Sequence, residues 1–388
     1  MTANHPDFQA LPDLAVRTLG GSVVYANDES FAARENLIAP EPPEFDESTF
    51  GHKGKVYDGW ETRRRRELGH DTAIVRLGAA GIVRGVVVDT SWFAGNYPPE
   101  VSVEATCVAG HPAVTELLEH ARWETIVERA AVKGERRNPF PVSSGHRWTH
   151  VRLTIHPDGG VARLRVHGEV VPDPRFLDAA GTVDLAATEH GGLIVGCSNA
   201  FYSSPDKLLA PGPTRSMGEG WETARRRDSG HDWVTVRLAG TGILVLAELD
   251  TSYFLHNAPG WAVLRGCDSP GTSPAADTPW FEVLARTPLQ PDTRHRFVLS
   301  GTRQVTHVRM DIFPDGGMAR LRLLGRLSTE GREHTGLRWF NALPAAAAAQ
   351  ALTEAGVDAD GTHALLARRP LAQPGDLPSG ARRLLAGP

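Results

Sequence analysis

The sequence predicts an all-β protein made of two tandem jelly-roll sandwiches, and three observations lead to that prediction. Much of the chain is written twice. The copied segments alternate apolar and polar residues, as strands with one buried face do. The 40 glycines and 28 prolines among 388 residues supply turns for many short strands rather than breaks between long helices. A chain of this length is also long enough for two domains with separate cores.

The internal repeat is the strongest of these observations. Matched segments recur at an offset of 161 residues, which is the spacing from Trp60 to Trp221. They are Gly59–Thr62 with Gly220–Thr223, Gly69–Asp71 with Gly230–Asp232, and Asp89–Ser91 with Asp250–Ser252. THVRLTIHPDGGVARLRVHG, from Thr149, returns from Thr306 at an offset of 157 residues. Since the drifting offset reflects small loop insertions, the repeat is a duplicated domain of roughly 150 to 170 residues, not a solenoid of short units.

Each copy predicts strands in a fixed order. The stretch from His70 to Ser91 holds two β-branched runs around a glycine-bearing segment, which predicts a hairpin or a closely spaced strand pair. Pro157–Gly160 predicts a turn with a strand on either side, and Val101–Val108 and Trp123–Val127 predict further strands. The apolar matches are interpreted as core: Trp60, Val75, Leu77, Ile82 and Phe93.

Domain boundaries follow from where the pattern lapses. The linker is predicted around Pro172–Leu185, so that residues 1–175 form the first repeat and residues 186–338 the second. The repeat stops after Gly325, and the alanine-rich stretch Pro344–Ala355 predicts a short helix ended by Gly356. Residues 339–388 are therefore predicted to be a helical, loosely held C-terminal tail.

Bulk properties exclude several classes of function. The net charge of −5 gives no general attraction to nucleic acid or to acidic membranes. Arg63–Arg66 is too short a basic run, without interleaved aromatic residues, to predict a nucleic-acid site. Three widely spaced cysteines form neither a disulfide framework nor a zinc pattern, and the N-terminus is not a signal peptide. We therefore expect a cytoplasmic protein that does not enter a membrane.

The polar residues that both copies share are the candidates for chemistry, because packing alone seldom requires so many charged groups in one segment. An arginine fork matches a small carboxylate, and the neighbours His70 and Asp71 suit proton transfer or metal ligation. In the first copy the shared positions are Glu61, Thr62, Arg64, Arg65, Arg66, His70, Asp71, Asp89, Thr90, Ser91 and Asn96. Residues alone predict a duplicated sandwich with a polar cluster in each copy, and no particular reaction.

These segments resemble the allantoicase family in both halves and in order, from about Gly20 to Gly325. The carriers are ANDESFAARENLI, GKVYDGWETRRRRELGHD and DTSWFAGNYPPEVSVEA in the first half. The second half carries MGEGWETARRRDSGHDW, LDTSYFLHNAPGWA and FPDGGMARLRLLG. The resemblance implies two jelly-roll repeats similar to galactose-binding sandwiches and a homo-oligomeric hydrolase acting on C–N bonds. The implied reaction converts allantoate and water to ureidoglycolate and urea.

That reaction suggests roles for the shared residues. An arginine among Arg64–Arg66 would hold the substrate carboxylate, and His70, oriented by Asp71 or Asp89, would move protons. Glu61, Thr90 and Asn96 would bind the ureido arms. The catalytic candidates are therefore His70, Asp71, Asp89 and Glu61. The substrate-binding candidates are Arg64, Arg65, Arg66, Thr90, Ser91 and Asn96, with Glu222, Arg226, His231, Asp232, Asp250 and Asn257 in the second copy.

Some points stay open at this stage. A divalent ion such as manganese would polarise the substrate, but the sequence identifies no ligand set and does not require one. His256 replaces Gly95 in the second copy, so a backbone freedom is lost there and the two copies are expected to differ in competence. The alternatives are a non-catalytic tandem carbohydrate-binding protein, a catalytically inactive homologue, and a related ureide hydrolase.

Overall fold

The chain is mostly β structure up to residue 328, and helices follow from Thr329, ten residues before the predicted start of the helical tail at residue 339. The computed structural model describes residues 8–46, 48–51, 54–269, 271, 273–300 and 303–387. The chain divides into two compact units. Unit 1 comprises the residues up to Val171 together with Ala342–Thr353, and unit 2 comprises Pro172–Asn341 with the residues from Glu354 onward.

The two units share a common order of strands. Unit 1 contains β1 (Ser22–Ala26), β2 (Phe50–Gly51), β3 (Gly54–Lys55), β4 (Trp60–Glu61), β5 (Asp71–Asp89), β6 (Glu100–Thr106), α1 (Val114–Glu119), β7 (Glu124–Ala131), β8 (Arg137–Pro141), β9 (Arg147–His156), β10 (Gly160–Val161) and β11 (Arg163–Val170). Unit 2 begins with α2 (Pro174–Ala180) and continues with β12 (Val183–Asp184), β13 (Leu193–Cys197), β14 (Trp221–Glu222), β15 (Asp232–Asp250), β16 (Trp261–Cys267), β17 (Phe281–Pro288), β18 (Arg294–Val298), β19 (Gln304–Phe313), β20 (Gly317–Met318) and β21 (Arg320–Leu327). To the common order, unit 1 adds the short strands β2 and β3 and the helix α1, and unit 2 adds α2 and β12.

Helices and short 3-10 turns complete the chain. The C-terminal helices are α3 (Thr329–Ala342), α4 (Ala345–Glu354), α5 (Ala359–Ala367) and α6 (Arg383–Ala386). The 3-10 turns are Phe8–Ala10, Arg17–Leu19, Arg34–Ile38, Thr188–His190, Pro205–Leu209, Met217–Glu219 and Pro374–Asp376. None of the helices in the described part of the chain has the length and apolar character that a bilayer crossing demands.

The predicted hairpin or strand pair is not observed, because the 19 residues of β5 form one strand that does not pair with itself. Residues 71–76 pair with β1 and β9, whereas residues 81–89 pair with β8 and β11. The pairing shifts register between Arg76 and Gly81. The glycine that suggested a turn serves another purpose: a Cβ on Gly78 would come within 2.6 Å of the Leu19 carbonyl oxygen. Gly78 therefore admits the N-terminal segment against the bend.

Both ends of β5 meet the predicted turn that follows β9. The backbone N–H of Asp71 donates to the Pro157 carbonyl at 3.1 Å, and the Ala162 N–H donates to the Asp89 carbonyl at 2.8 Å. Glu61 in β4 pairs with Gly160 in β10 on the same stretch. The segments that carry the candidate residues therefore converge at one end of the sandwich, which we call the loop end. β14, β15 and β20 repeat this arrangement in unit 2.

Buried apolar side chains form one core within each unit. The five residues interpreted as core, Trp60, Val75, Leu77, Ile82 and Phe93, are all buried, which confirms that interpretation. The strands predicted near Val101 and Trp123 are β6 and β7, and the predicted alanine-rich helix is α4.

The tail is packed rather than loosely held, because several of its large apolar residues are buried. Phe340 and Leu385 are fully buried, and Trp339 lies under the guanidinium of Arg175 at 4.9 Å. The predicted linker contains α2 and β12.

Candidate active site

The loop end of unit 1 is organised around a carboxyl–amide pair. Trp60 is fully buried and its indole N–H donates to the Asp28 carbonyl at 2.8 Å, which fixes the short strand β4. The next residue, Glu61, is half-buried and accepts a hydrogen bond from the Asn96 side-chain amide at 2.6 Å. The Asn96 carbonyl in turn accepts from the Gly160 N–H at 2.8 Å. The pair is thus held by backbone at both partners.

Burial raises the pKa of the Glu61 carboxyl above its usual value, and the hydrogen bond from Asn96 offsets part of that rise. A carboxyl that keeps its proton more readily is better suited to donate it to a leaving group. The same pair occurs in unit 2, where the Asn257 amide donates to Glu222 at 2.6 Å. Duplication has therefore preserved the geometry of the pair as well as the two residue types.

A second shared pair joins an arginine to a buried aspartate. Arg65 Nη1 lies 2.6 Å from Asp71 Oδ1, and the Asn27 amide donates to the same oxygen at 2.9 Å. The Arg65 backbone N–H donates to Asp158 Oδ2 at 2.8 Å. Asp71 is 1% exposed, and its Oδ2 has no hydrogen-bond partner among the described residues. This carboxylate therefore anchors the arginine loop from inside the sandwich.

Unit 2 repeats this anchor with one change of partner. Arg226 Nη1 lies 2.9 Å from Asp232 Oδ1, and the Ser198 hydroxyl, in the place of Asn27, donates to that oxygen at 2.8 Å. The Arg226 N–H donates to Asp315 Oδ2 at 2.8 Å. Both units therefore hold the arginine loop against the turn that follows β9 in unit 1 and β19 in unit 2.

The remaining arginines of the loop differ in their partners. Arg63 pairs with Asp28 at 3.3 Å. Burial opposes ionisation of Asp28, but hydrogen bonds from Ser30 and Arg63 and the Arg63 charge hold the pKa of its carboxyl below the usual value. Arg64 and Arg66 are exposed, and neither forms an ion pair with a residue that the structure describes. These two guanidinium groups are the ones available to a substrate carboxylate.

Asp89, Thr90 and Ser91 are occupied in a turn at the end of β5. Asp89 Oδ1 accepts from the Ser91 N–H at 2.9 Å and from its hydroxyl at 2.6 Å. Thr90 is fully buried, and its hydroxyl donates to the Lys133 carbonyl at 2.6 Å. In unit 2, Asp250 and Thr251 make the equivalent bonds to Ser252 and Gln290. This geometry favours a structural role for these residues over contact with a substrate.

The two candidate histidines lie in different surroundings. His70 is exposed, its ring centroid lies 5.6 Å from that of His156, and it makes no hydrogen bond to Asp71 or Asp89. The carboxylates that we expected to orient it are engaged with Arg65 and Ser91. His231 is half-buried, and its Nε2 lies 2.9 Å from Asp311. The structure therefore brings a carboxylate to the second histidine and not to the first.

The expected disturbance at His256 is not observed. Gly95, its counterpart, does not require a positive φ, and a Cβ there would meet no atom within 4 Å. Because a side chain fits at this position, Asn257 keeps its bond to Glu222.

Sequence reasoning missed several residues of the loop end. Asn27 and Asp28 lie in ANDESFAARENLI, a segment that carries the family resemblance but gives neither residue a role. Asp158 was interpreted only as part of a turn. Asp311 carried no repeat signal at all, because the matched residue in the first copy is Thr154.

Within the described ranges, no group of three or more His, Cys, Asp or Glu side chains is placed to hold a metal ion. The donor set at the loop end therefore does not fit a protein-built metal site, and we derive no step through one. Two cavities lie elsewhere, along the junction of β21 and α3. These cavities, of about 300 and 540 Å³, share Arg326, Ser328 and Thr329 in their linings, and neither is lined by the candidate residues.

Comparison with known proteins shows which sequences and structures this chain is similar to. The family model described as "Allantoicase repeat" matches residues 12–171 and 183–328. A "Probable allantoicase" of Nocardia farcinica is 58% identical over 82% of this chain and 95% of its own length. The Dictyostelium discoideum "Allantoicase" is 39% identical over 79% of this chain and 84% of its own length. The crystal structure of the Saccharomyces cerevisiae allantoicase superposes with a TM-score of 0.70 at 33% identity, covering 84% of this chain and 98% of that chain.

Proposed function

The chain belongs to the allantoicase family, and from that premise we propose that it hydrolyses allantoate to ureidoglycolate and urea at its loop ends. The observation that carries the proposed site is the Glu–Asn pair, which occurs in both units with the same distance of 2.6 Å. A carboxyl and an amide side by side offer the acceptors and donors that a ureido group needs.

The substrate determines what such a site has to supply. Allantoate carries one carboxylate and two ureido arms on a single tetrahedral carbon, and urea is a poor leaving group until its nitrogen is protonated. In unit 1, Arg64 and Arg66 are the exposed cations for the carboxylate. The carboxyl of the Glu–Asn pair, Glu61 in unit 1 and Glu222 in unit 2, is the proton donor of its unit, and the asparagine holds it in place. Arg65 and Asp71 fix the loop that carries these groups.

The proton balance of the reaction can be stated for one site. The carboxyl of the pair gives its proton to the departing ureido nitrogen, which takes the electrons of the breaking C–N bond and leaves as urea. A histidine at the loop end takes the N–H proton of the retained arm, whose electron pair forms a C=N bond. Water then adds to that carbon, the nitrogen is reprotonated, and ureidoglycolate results. In this second step the protonated histidine gives its proton to the nitrogen, and the attacking water gives a proton to the carboxylate. Both groups are then back in their starting states.

The same proposal covers assembly and location. A homo-oligomer is the state that the family resemblance implies, and light scattering of the purified chain at micromolar concentration would measure it. The three free thiols, Cys107, Cys197 and Cys267, suit a reducing compartment such as the cytoplasm.

The deciding experiment measures urea and ureidoglycolate released from allantoate by the purified protein. Parallel reactions contain EDTA or added manganese, because a divalent ion remains a proposal that only this comparison addresses. We expect the two products in equal amounts. Binding of allantoate, or of a sugar, without any turnover in each condition would overturn the proposal in favour of a binding protein.

A further inference from the structure

We propose that His231 is the proton-accepting histidine of this reaction, with Asp311 as its positioning residue, and that its repeat counterpart His70 is not. The inference rests on the proposed hydrolysis of allantoate and specifies which of the two histidines serves it. It depends on a side-chain cluster of unit 2 that the described residues of unit 1 do not form.

The cluster is built around the carboxylate of Asp311, which is fully buried. Its Oδ1 lies 2.9 Å from His231 Nε2 and accepts from Arg309 Nε at 2.9 Å. Its Oδ2 accepts from Arg265 Nη1. The carboxylate thus lies between two guanidinium groups, and an aspartate carboxylate only accepts hydrogen bonds. The proton on a neutral His231 ring is therefore at Nε2, and the lone pair is at Nδ1.

The ring of His231 is held in place but remains accessible. It stacks on Phe313 with 4.5 Å between ring centroids and an interplanar angle of 29°. Its side chain is 33% exposed, and Nδ1 makes no hydrogen bond to any residue in the described ranges. A fixed tautomer with a free, partly exposed nitrogen is the arrangement that a general base requires.

This histidine lies against the same turn as the carboxyl–amide pair of unit 2. Phe313, on which it stacks, is followed by Pro314, whose carbonyl accepts from the Asp232 N–H. Gly317, four residues after Phe313, pairs with Glu222. The guanidinium of Arg286 lies 4.5 Å from the Phe313 ring centroid. Arg286 is exposed and forms no ion pair with a described residue. Its guanidinium is therefore available to bind the substrate carboxylate.

The first repeat lacks the buried carboxylate and the stacked phenyl ring of this arrangement. Thr154 stands where unit 2 has Asp311, and His156 where it has Phe313. The carboxylates of the adjacent strand β6, Glu100 and Glu104, pair with Arg129 and Arg152. His70 is exposed and forms no ion pair with a carboxylate among the described residues. Duplication therefore provides an internal control: two histidines from the same ancestral position, of which one is oriented.

A purely structural explanation of Asp311 makes a different prediction. Arg265 and Arg309 face each other directly across β16 and β19, and such a like-charge pair is unfavourable without an anion between them. If Asp311 only neutralised the two arginines, its loss would lower stability. Removal of His231 would then leave turnover unchanged.

The test compares His231→Gln with the matched variant His70→Gln in the full-length protein, with allantoate as substrate. We expect His231→Gln to lower kcat by roughly 100-fold or more, the usual contribution of a general base, with a much smaller change in KM. We expect His70→Gln to stay within about twofold of the wild type, because it removes no oriented group. Thermal unfolding should show both variants folded. Equal kcat values for the two variants, both close to the wild type, would overturn the inference.

Chemical rescue separates catalysis from packing. Added imidazole should restore part of the turnover of His231→Ala, since the free base can enter the space that the ring occupied, whereas a packing defect would not respond. Asp311→Asn should lower kcat with little change in KM. If Asp311→Asn fails to fold, His231→Gln and His231→Ala still test whether His231 accepts the proton. A wild-type protein that releases no urea would defeat the proposed function itself, which is distinguishable from an active wild type with an active His231→Gln.

Discussion

The side-chain amide of Asn96 donates to the carboxyl of Glu61 at 2.6 Å, and it does so beside a strand that the buried Trp60 fixes in place. Two effects on the pKa of Glu61 oppose each other there: burial raises it, and the hydrogen bond from Asn96 lowers it. Burial wins, so the carboxyl keeps its proton to a higher pH than an exposed glutamate. Three of the predictions below test the loop end of unit 1 directly.

Removal of the Asn96 amide should leave the effect of burial on the pKa of Glu61 unopposed. We expect Asn96→Ala to raise the pKa of Glu61 further, which a titration of the side-chain carboxyl by ¹³C NMR would measure. Asn36→Ala is the matched control, because the Asn36 amide donates to the Gly59 carbonyl at 3.0 Å and not to the carboxyl. An unchanged or lowered pKa in Asn96→Ala would show that the hydrogen bond does not stabilise the ionised form.

The raised pKa also has a consequence for stability. Above its folded-state pKa, Glu61 is ionised in both states, and only the folded state bears the cost of burying the charge. Below the unfolded-state pKa the carboxyl is neutral in both states and the cost disappears. We therefore expect Glu61→Gln to raise the unfolding temperature at pH 7 by roughly 1 to 3 °C, and to raise it less at pH 4.

Calorimetry at the two pH values would check this, with Glu222→Gln as the matched variant in unit 2. Turnover should separate the two units: Glu222→Gln, which removes the carboxyl on the same unit as His231, should lose turnover, whereas Glu61→Gln should not. A Glu61→Gln protein that is less stable than the wild type at pH 7 would contradict the cost of burying the Glu61 carboxylate.

Thr90 offers a test that separates structure from substrate binding. Its buried hydroxyl donates to the Lys133 carbonyl at 2.6 Å and accepts from the Arg136 N–H at 3.3 Å. Thr90→Val should cost about 1 to 3 kcal/mol of the free energy of unfolding, because buried backbone groups lose a partner. We expect kcat and KM of the folded variant to stay unchanged. A raised KM at unchanged stability would instead favour the substrate-binding role that the sequence suggested.

The sequence was sufficient for the features that local rules determine. The repeat located Glu61 and Asn96 together with their counterparts Glu222 and Asn257, because duplication preserved the residue types. The apolar residues shared by the two copies identified the core around Trp60. The course of β5 was not predictable in this way. Gly78 permits a close approach of another segment just as well as a turn, and only the tertiary contact distinguishes the two.

Side-chain partners were the least predictable part of the site. Adjacency in sequence suggested that Asp71 orients His70, but neighbouring residues of a strand point to opposite faces. Asp71 accordingly faces inward to Arg65, while His70 is exposed. The carboxylate of Asp311 reaches His231 from a position 80 residues away along the chain, and no repeat signal marks it. Long-range pairs between residues that duplication did not preserve leave no trace in one sequence.

We expect the burial of His150 in unit 1 to make the fold sensitive to acid. His150 is 1% exposed, and burial, together with the nearby charges of Arg76 and His111, lowers its pKa to about 4. In the unfolded chain the same ring titrates near its ordinary value of about 6.5. The unfolded state therefore binds a proton that the folded state refuses between these two values, and the contribution of His150 to stability is lost as the pH falls through that window. By pH 5 the loss should reach about 2 kcal/mol.

Urea unfolding of unit 1 at pH 7, 6 and 5 would measure it. The exposed His120, replaced by Gln, should leave the pH dependence as it is, whereas His150→Gln should flatten it even if the variant is less stable throughout. An equally steep loss in His150→Gln would assign the acid sensitivity to other groups.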